Sequence, residues 1–129
     1  MYKFGRASKE KLATLDPRLQ AVLNEAIKYR DFTIICGHRS EAEQNLAYRT
    51  GKSKLKFPQS KHNSYPSTAV DVAPYPMDWN DRERFYYLAG FLQGIAKTKG
   101  INLRYGGDWD RDGEITDNTF DDLVHLEIV

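Results

Sequence analysis

Three side chains in this sequence have types and neighbourhoods suited to a divalent metal: His62, Asp71 and His125. Two imidazoles and one carboxylate, with a position left for water, make up a catalytic zinc site. Asp71 is the most telling. It stands between Val70 and Val72 in a short run of small and β-branched residues with strand character. A buried carboxylate is costly without compensation, and a cation can supply it. His62 lies in a polar, turn-rich stretch, SKHNSYPS, where a histidine is more often exposed or satisfied by neighbours than a ligand. In VHLEIV, His125 alternates with Leu126, and Glu127 is expected on its face only through irregular pairing, so periodicity leaves its role open. Asp122, three residues before His125, could reach a water at such a site as general base; a solvated loop charge is the equal alternative.

A second cluster is DWDRDGE, in which Asp108, Asp110 and Asp112 alternate ahead of Gly113. This is the first half of an EF-hand-type calcium loop, where short spacing converges oxygens and glycine permits the turn. Thr119 stands where the loop's twelfth-position glutamate would be, with Asp117 or Asp121 as substitutes. Acidic loops are commonly just solvated, so spacing alone does not decide for calcium.

Positioning such groups requires a scaffold. At 129 residues and 40% hydrophobic content, the chain reads as a single domain, residues 1–129, able to bury a core. A net charge of +1 without a basic stripe argues against nucleic acid or an anionic membrane as partner. No segment approaches the roughly 18 apolar residues of a membrane span, and MYKFGRASKEK lacks the apolar region of a secretion signal. The lone Cys36 excludes an intramolecular disulfide, and within FTIIC it reads as buried and inert.

Asp16 and Pro17 open a helix over PRLQAVLNEAIKYR, with an apolar stripe through Leu19, Val22, Leu23, Ala26 and Ile27. FTIIC follows as a strand, and Ser40 with Glu43 has capping-box spacing at the head of SEAEQNLAYR. GKSKLKFPQSKHNSYPS is a long turn-rich loop of the kind that often carries function. TAVDVAPY reads as a strand, and Asn80 with Glu83 repeats the capping-box spacing before a helix reaching Lys99. INLRYG and VHLEIV are the remaining strands. Few strands, parted by helices and long loops, predict an α+β fold with a small, largely antiparallel sheet flanked by helices.

Taken together, these residues resemble a family. Ser60-Lys61-His62, Ala69-Val70-Asp71 and Asp122-Leu123-Val124-His125 are similar to the S-x-H, A-x-D and acidic-x-x-H motifs of a zinc peptidase family. That family includes VanY-type D-alanyl-D-alanine carboxypeptidases and phage L-alanyl-D-glutamate endopeptidases. Gly37-His38-Arg39-Ser40, with Gln44 one helical turn later, resembles its G-x-R segment. The resemblance runs from Phe32 to the C-terminus, with NSYPST filling a histidine–aspartate gap that is commonly shorter and contains a glycine. It implies a hedgehog/DD-peptidase-like fold in which His62, Asp71 and His125 hold zinc and Asp122 is the base. Arg39 would face the scissile carbonyl or its oxyanion, Ser60 would bind substrate or orient His62, and Gln44 would bind substrate. Calcium at Asp108, Asp110 and Asp112 would order that loop and so position Asp122.

The implied function is that of a phage endolysin, a zinc-dependent peptidoglycan hydrolase cleaving the L-Ala-D-Glu bond of the stem peptide. Such a protein would act as a monomer, made in the host cytoplasm and reaching the periplasmic wall after a separate holin-type protein permeabilises the membrane. The absent export signal, and the end of the chain four residues after His125, favour this over a D-Ala-D-Ala carboxypeptidase of the same fold. The competing class is a non-catalytic hedgehog-like metal-binding module, in which Asp122 and Arg39 would have no purpose.

Overall fold

Short strands parted by helices are what a computed structural model contains; it describes residues 1–115 and 122–129. The helices are α1 (Arg6–Leu12), α2 (Pro17–Ala26), α3 (Glu41–Arg49) and α4 (Arg82–Thr98). The strands are β1 (Phe32–Cys36), β2 (Ala69–Pro74), β3 (Leu103–Tyr105) and β4 (His125–Ile128), with a 3-10 turn at Lys61–Asn63.

Local chemistry explains most of these elements. The Asp16 carboxylate accepts from the Arg18 backbone N–H at 2.8 Å, and Pro17 supplies the first helical residue of α2. That helix stops at Ala26, short of the expected Arg30. Ser40 and Glu43 form the full capping box of α3. The box expected at Asn80 and Glu83 does not form: α4 starts after Asp81, with no side-chain cap, and the Asn80 N–H goes to Asp78. Helix α1 has no counterpart in the sequence reading because it lacks an apolar stripe. It is fastened instead by Ser8, whose hydroxyl accepts the Ile34 N–H at 3.1 Å and so covers the free edge of β1.

The sheet is antiparallel throughout, in the order β1-β2-β4-β3. Strand alternation sorts its two faces. Val70 and Val72, Leu126 and Ile128, and Leu103 and Tyr105 point into the main core, where they meet Leu19, Val22 and Leu23 of α2 and Leu88 and Leu92 of α4. The opposite face carries Asp71, Arg104, His125 and Glu127. That answers why a carboxylate stands between two valines: the valines belong to the core and Asp71 to the other side. The register sets Asp71 opposite His125 and Arg104 opposite Glu127. A bulge in β1 between Ile34 and Cys36 turns the consecutive residues Ile35 and Cys36 toward that same face. Among the described residues no helix is long and apolar enough to cross a membrane.

Candidate metal centre and active-site cleft

The functional face is the floor of a cleft of about 990 Å³. Three elements deliver the predicted ligands to it. Asp71 comes from β2 and His125 from β4 as directly opposed partners, while His62 comes from the 3-10 turn. Ser60 caps that turn, its hydroxyl accepting the His62 N–H at 3.2 Å, and the Arg39 N–H bonds the His62 carbonyl at 2.7 Å. His62 Nε2 and His125 Nδ1 are 3.3 Å apart, and each is 3.2 Å from Asp71 Oδ1. All three residues are buried.

That triangle is what a small tetrahedral cation needs: bonds to zinc of 2.0–2.1 Å set donor–donor edges of about 3.3 Å. The ring nitrogens facing away are also provided for. His62 Nδ1 meets the Gly37 carbonyl at 2.7 Å and His125 Nε2 meets Glu127 Oε1 at 2.8 Å. With a proton on each of those nitrogens, both lone pairs point into the triangle. Burial opposes charge on His62, but Asp71 and the Cys36 sulfur outweigh it and raise its pKa to about 10. His125 is raised as well, against burial, by Asp71 and Glu127. Asp71 is lowered despite its burial by hydrogen bonds from both histidines.

Asp122 brings a carboxylate oxygen within 4.8 Å of the Asp71 and His125 donors. Burial, then the Asp71 charge, pushes its pKa above the ordinary value, a direction that suits a proton acceptor working near neutrality. Gly106 makes this seat possible: it exchanges backbone bonds with Asp122 and His125, and a Cβ there would collide with the Asp122 carbonyl.

Arg39 lines the cleft, with Nη1 donating to Gln44 Oε1 at 3.0 Å and Nη2 lying 3.7 Å from Asp71 Oδ2. Gln44 has a different place from the expected one. It is fully buried, accepting from Arg39 and Asn63 and donating to Ser53 and Leu55, so no group is left for substrate. Ser60 lines the cleft while capping the His62 turn. His38 stays outside the cluster, against the Ser64 carbonyl and the Tyr65 ring.

Cys36 is less buried than expected from FTIIC. It is half-buried on the cleft wall, with a sulfur that groups with His62 and Asp71. Its sulfur lies 3.8 Å from His62 Nδ1, the nitrogen already bonded to Gly37, so it sits behind the imidazole rather than at the triangle. Glu127 was missed. Regular pairing, not an irregularity, brings it to the face of His125, because residues two apart on a strand share a face.

The acidic loop also gathers its ligand types. Carboxylate oxygens of Asp108, Asp110 and Asp112 lie within 4.8 Å of one another, Gly113 has φ +85°, and its N–H bonds Asp108 Oδ2 at 3.0 Å. Burial and the neighbouring Asp108 and Asp112 carboxylates raise the pKa of Asp110. Asp108 Oδ1 is buried without a hydrogen-bond partner among the described residues. Asp117, Thr119 and Asp121 lie outside the described residues. Between Asp108 and Asp110, Trp109 tilts against the His125 ring, with centroids 5.4 Å apart, which joins the loop to the metal centre.

Comparisons with known proteins place the chain beside L-alanyl-D-glutamate peptidases. A family model described as phage L-alanyl-D-glutamate peptidase matches residues 1–129. The L-alanyl-D-glutamate peptidase of Escherichia phage T5 is 39% identical over an alignment of 137 positions that covers 99% of this chain and 98% of that protein. Among solved structures, the Serratia marcescens L-Ala D-Glu endopeptidase ChiX superposes with a TM-score of 0.74 at 27% identity, covering 98% of this chain and 89% of its own.

Proposed function

Because this chain belongs to the phage L-alanyl-D-glutamate peptidase family, we propose that it hydrolyses the L-alanyl-D-glutamate bond of the peptidoglycan stem peptide as a single-domain endolysin. The observation that carries the reading is the triangle of His62 Nε2, Asp71 Oδ1 and His125 Nδ1, with the Asp122 carboxylate beside it in an open cleft. Its donor set and edges fit zinc, which His62, Asp71 and His125 would hold. Zinc in that position supplies polarisation of a carbonyl oxygen and activation of water near neutral pH.

The chain's own groups account for the proton and charge transfers. Asp122 takes a proton from the attacking water and passes it to the departing amine of D-glutamate, while the alanine carbonyl becomes a carboxylate. Arg39, held by Gln44, aims fixed donors at the oxygen where negative charge develops. Ser60 orients His62 and borders the substrate path. A metal-binding module without catalysis would need neither Asp122 nor Arg39 in the cleft.

Calcium at Asp108, Asp110 and Asp112 is the second part of the reading, supported by the converging carboxylates and the orphaned Asp108 oxygen. Its order would reach the active site through Trp109. The protein would act as a monomer made in the host cytoplasm, with a holin-type partner giving access to the periplasmic wall.

Mass spectrometry of purified muropeptides after digestion tests the activity. The expected products are glycan carrying L-alanine alone and a peptide with a new D-glutamate amino terminus. Loss of a single terminal D-alanine would assign the carboxypeptidase reaction instead, and intact muropeptides with zinc present would overturn the enzymatic reading.

A further inference from the structure

We propose that Glu127 is a positioning residue that holds His125 in the tautomer with its proton on Nε2 and its Nδ1 lone pair aimed at the metal, and that Lys61 and Arg104 hold Glu127 in place for this. The inference rests on the reading of His62, Asp71 and His125 as the metal centre.

A neutral imidazole has one donor and one acceptor nitrogen, and the partner of one nitrogen determines the role of the other. The two histidines solve this differently. His62 turns its back nitrogen to a neutral group, the Gly37 carbonyl at 2.7 Å. His125 turns its own to a carboxylate, with Nε2 at 2.8 Å from Glu127 Oε1. A carboxylate there is a stronger acceptor than a carbonyl, and it makes the far nitrogen a better electron donor to a metal.

Glu127 is 5% exposed, and a carboxylate so buried needs compensation. Its second oxygen has it twice over: Arg104 Nη2 lies 2.8 Å from Oε2, and Lys61 Nζ lies 3.3 Å from the same atom. With Oε2 given to two cations and Oε1 to His125, the carboxylate has one orientation available. Arg104 is its register partner across β3 and β4. Lys61 precedes His62 in the 3-10 turn, and its ammonium also donates to the Ile128 carbonyl at 3.0 Å. Lys61 therefore ties the turn carrying one histidine to the strand carrying the other. The two cations converge on one oxygen of a buried carboxylate.

The test is zinc affinity, read by competition with a chromogenic chelator, in Glu127→Ala and Glu127→Gln, together with nitrogen-15 spectra of His125 in the zinc-loaded proteins. The wild type should show the His125 proton on Nε2. Glu127→Ala should bind zinc about 10- to 100-fold more weakly, and the His125 Nε2 proton should exchange faster with water. Glu127→Gln, which keeps an acceptor but loses the charge, should fall between the two; it keeps the proposal testable should the alanine variant not fold. Wild-type affinity in both variants, or a His125 protonated on Nδ1 in the wild type, overturns the proposal. A wild type that takes up no zinc overturns the metal centre itself and so is told apart from failure of the Glu127 assignment.

Discussion

The candidate metal centre on the sheet and the acidic loop at 108–115 each bring together three side chains that could hold a cation, and they are held in opposite ways. At the centre, Gly37 behind His62 and Arg39 beside Asp71 come from distant parts of the chain, and Glu127 behind His125 comes from two residues further along the same strand. In the loop, the supports come from the loop's own backbone. Asp108 accepts from Gly113, Asp110 from Asp112, and Asp112 from Glu114, while Asp108 Oδ1 is left buried and unpartnered among the described residues. A site whose supports belong to a sheet keeps its geometry before the ion arrives. One supported by itself gains most of its order from the ion. The first arrangement suits chemistry and the second suits control.

The comparison breaks most visibly at the centre. His62→Ala should abolish stoichiometric zinc in the folded protein, measured by elemental analysis, and wild-type metal content would remove His62 from the ligand set. Asp122→Ala should leave zinc bound yet lower hydrolysis about 100- to 10,000-fold, the usual weight of a general acid–base group; a fully active variant would refute the base assignment. Next comes Gly106→Ala, whose new Cβ meets the Asp122 backbone. It should cost about 1–3 kcal/mol of stability by overpacking, visible as a lower melting temperature. Activity should drop while zinc content stays intact.

Proton linkage offers a finer test. In the metal-free protein His62 is raised from 6.5 to about 10, so its contribution to stability is complete below pH 6.5 and lost as pH rises through 10. Asp71 and Glu127 are lowered from 3.8 and 4.5, so theirs is present above those values and lost as pH falls through the folded ones. The metal-free melting temperature should therefore be highest between pH 4.5 and 6.5 and decline toward pH 10. Zinc competes with protons for the same nitrogens, so saturating zinc should flatten that alkaline decline. A metal-free melting temperature that is level from pH 6 to 10 would contradict the paired histidine–aspartate cluster.

The smallest expected effect lies in the loop. Asp110→Ala should leave zinc affinity unchanged and remove any response of hydrolysis to calcium, assayed with zinc buffered. Calcium chelation that leaves wild-type activity untouched would end the switch reading, and a loss of zinc in this variant would show that the two regions are not separable.

Much of this molecule is legible from its residues in order. Asp16-Pro17 and the Ser40–Glu43 pair announce two helices because capping bonds span two or three residues. The valines flanking Asp71 announce a strand with one apolar face. Helix α1 escapes that reading because it lacks an apolar stripe and its Ser8 hydroxyl accepts the backbone N–H of Ile34, 26 positions away in sequence. Gln44 was expected at the substrate and belongs behind Arg39, since nothing local distinguishes a buried glutamine from an exposed one on a helix.

By itself, then, the sequence determined which side chains could bind a metal, which short segments would be helix or strand, and, through family resemblance, what chemistry to expect. Only the tertiary structure decided that Asp71 stands opposite His125, that Glu127 and its two cations stand behind that histidine, and that Cys36 sits behind the centre rather than in it. The reason is one of range. Propensity, capping and periodicity act over a few residues, whereas the pairing of β2 with β4 joins positions 54 apart and is settled by which register buries the valines and leucines on one face.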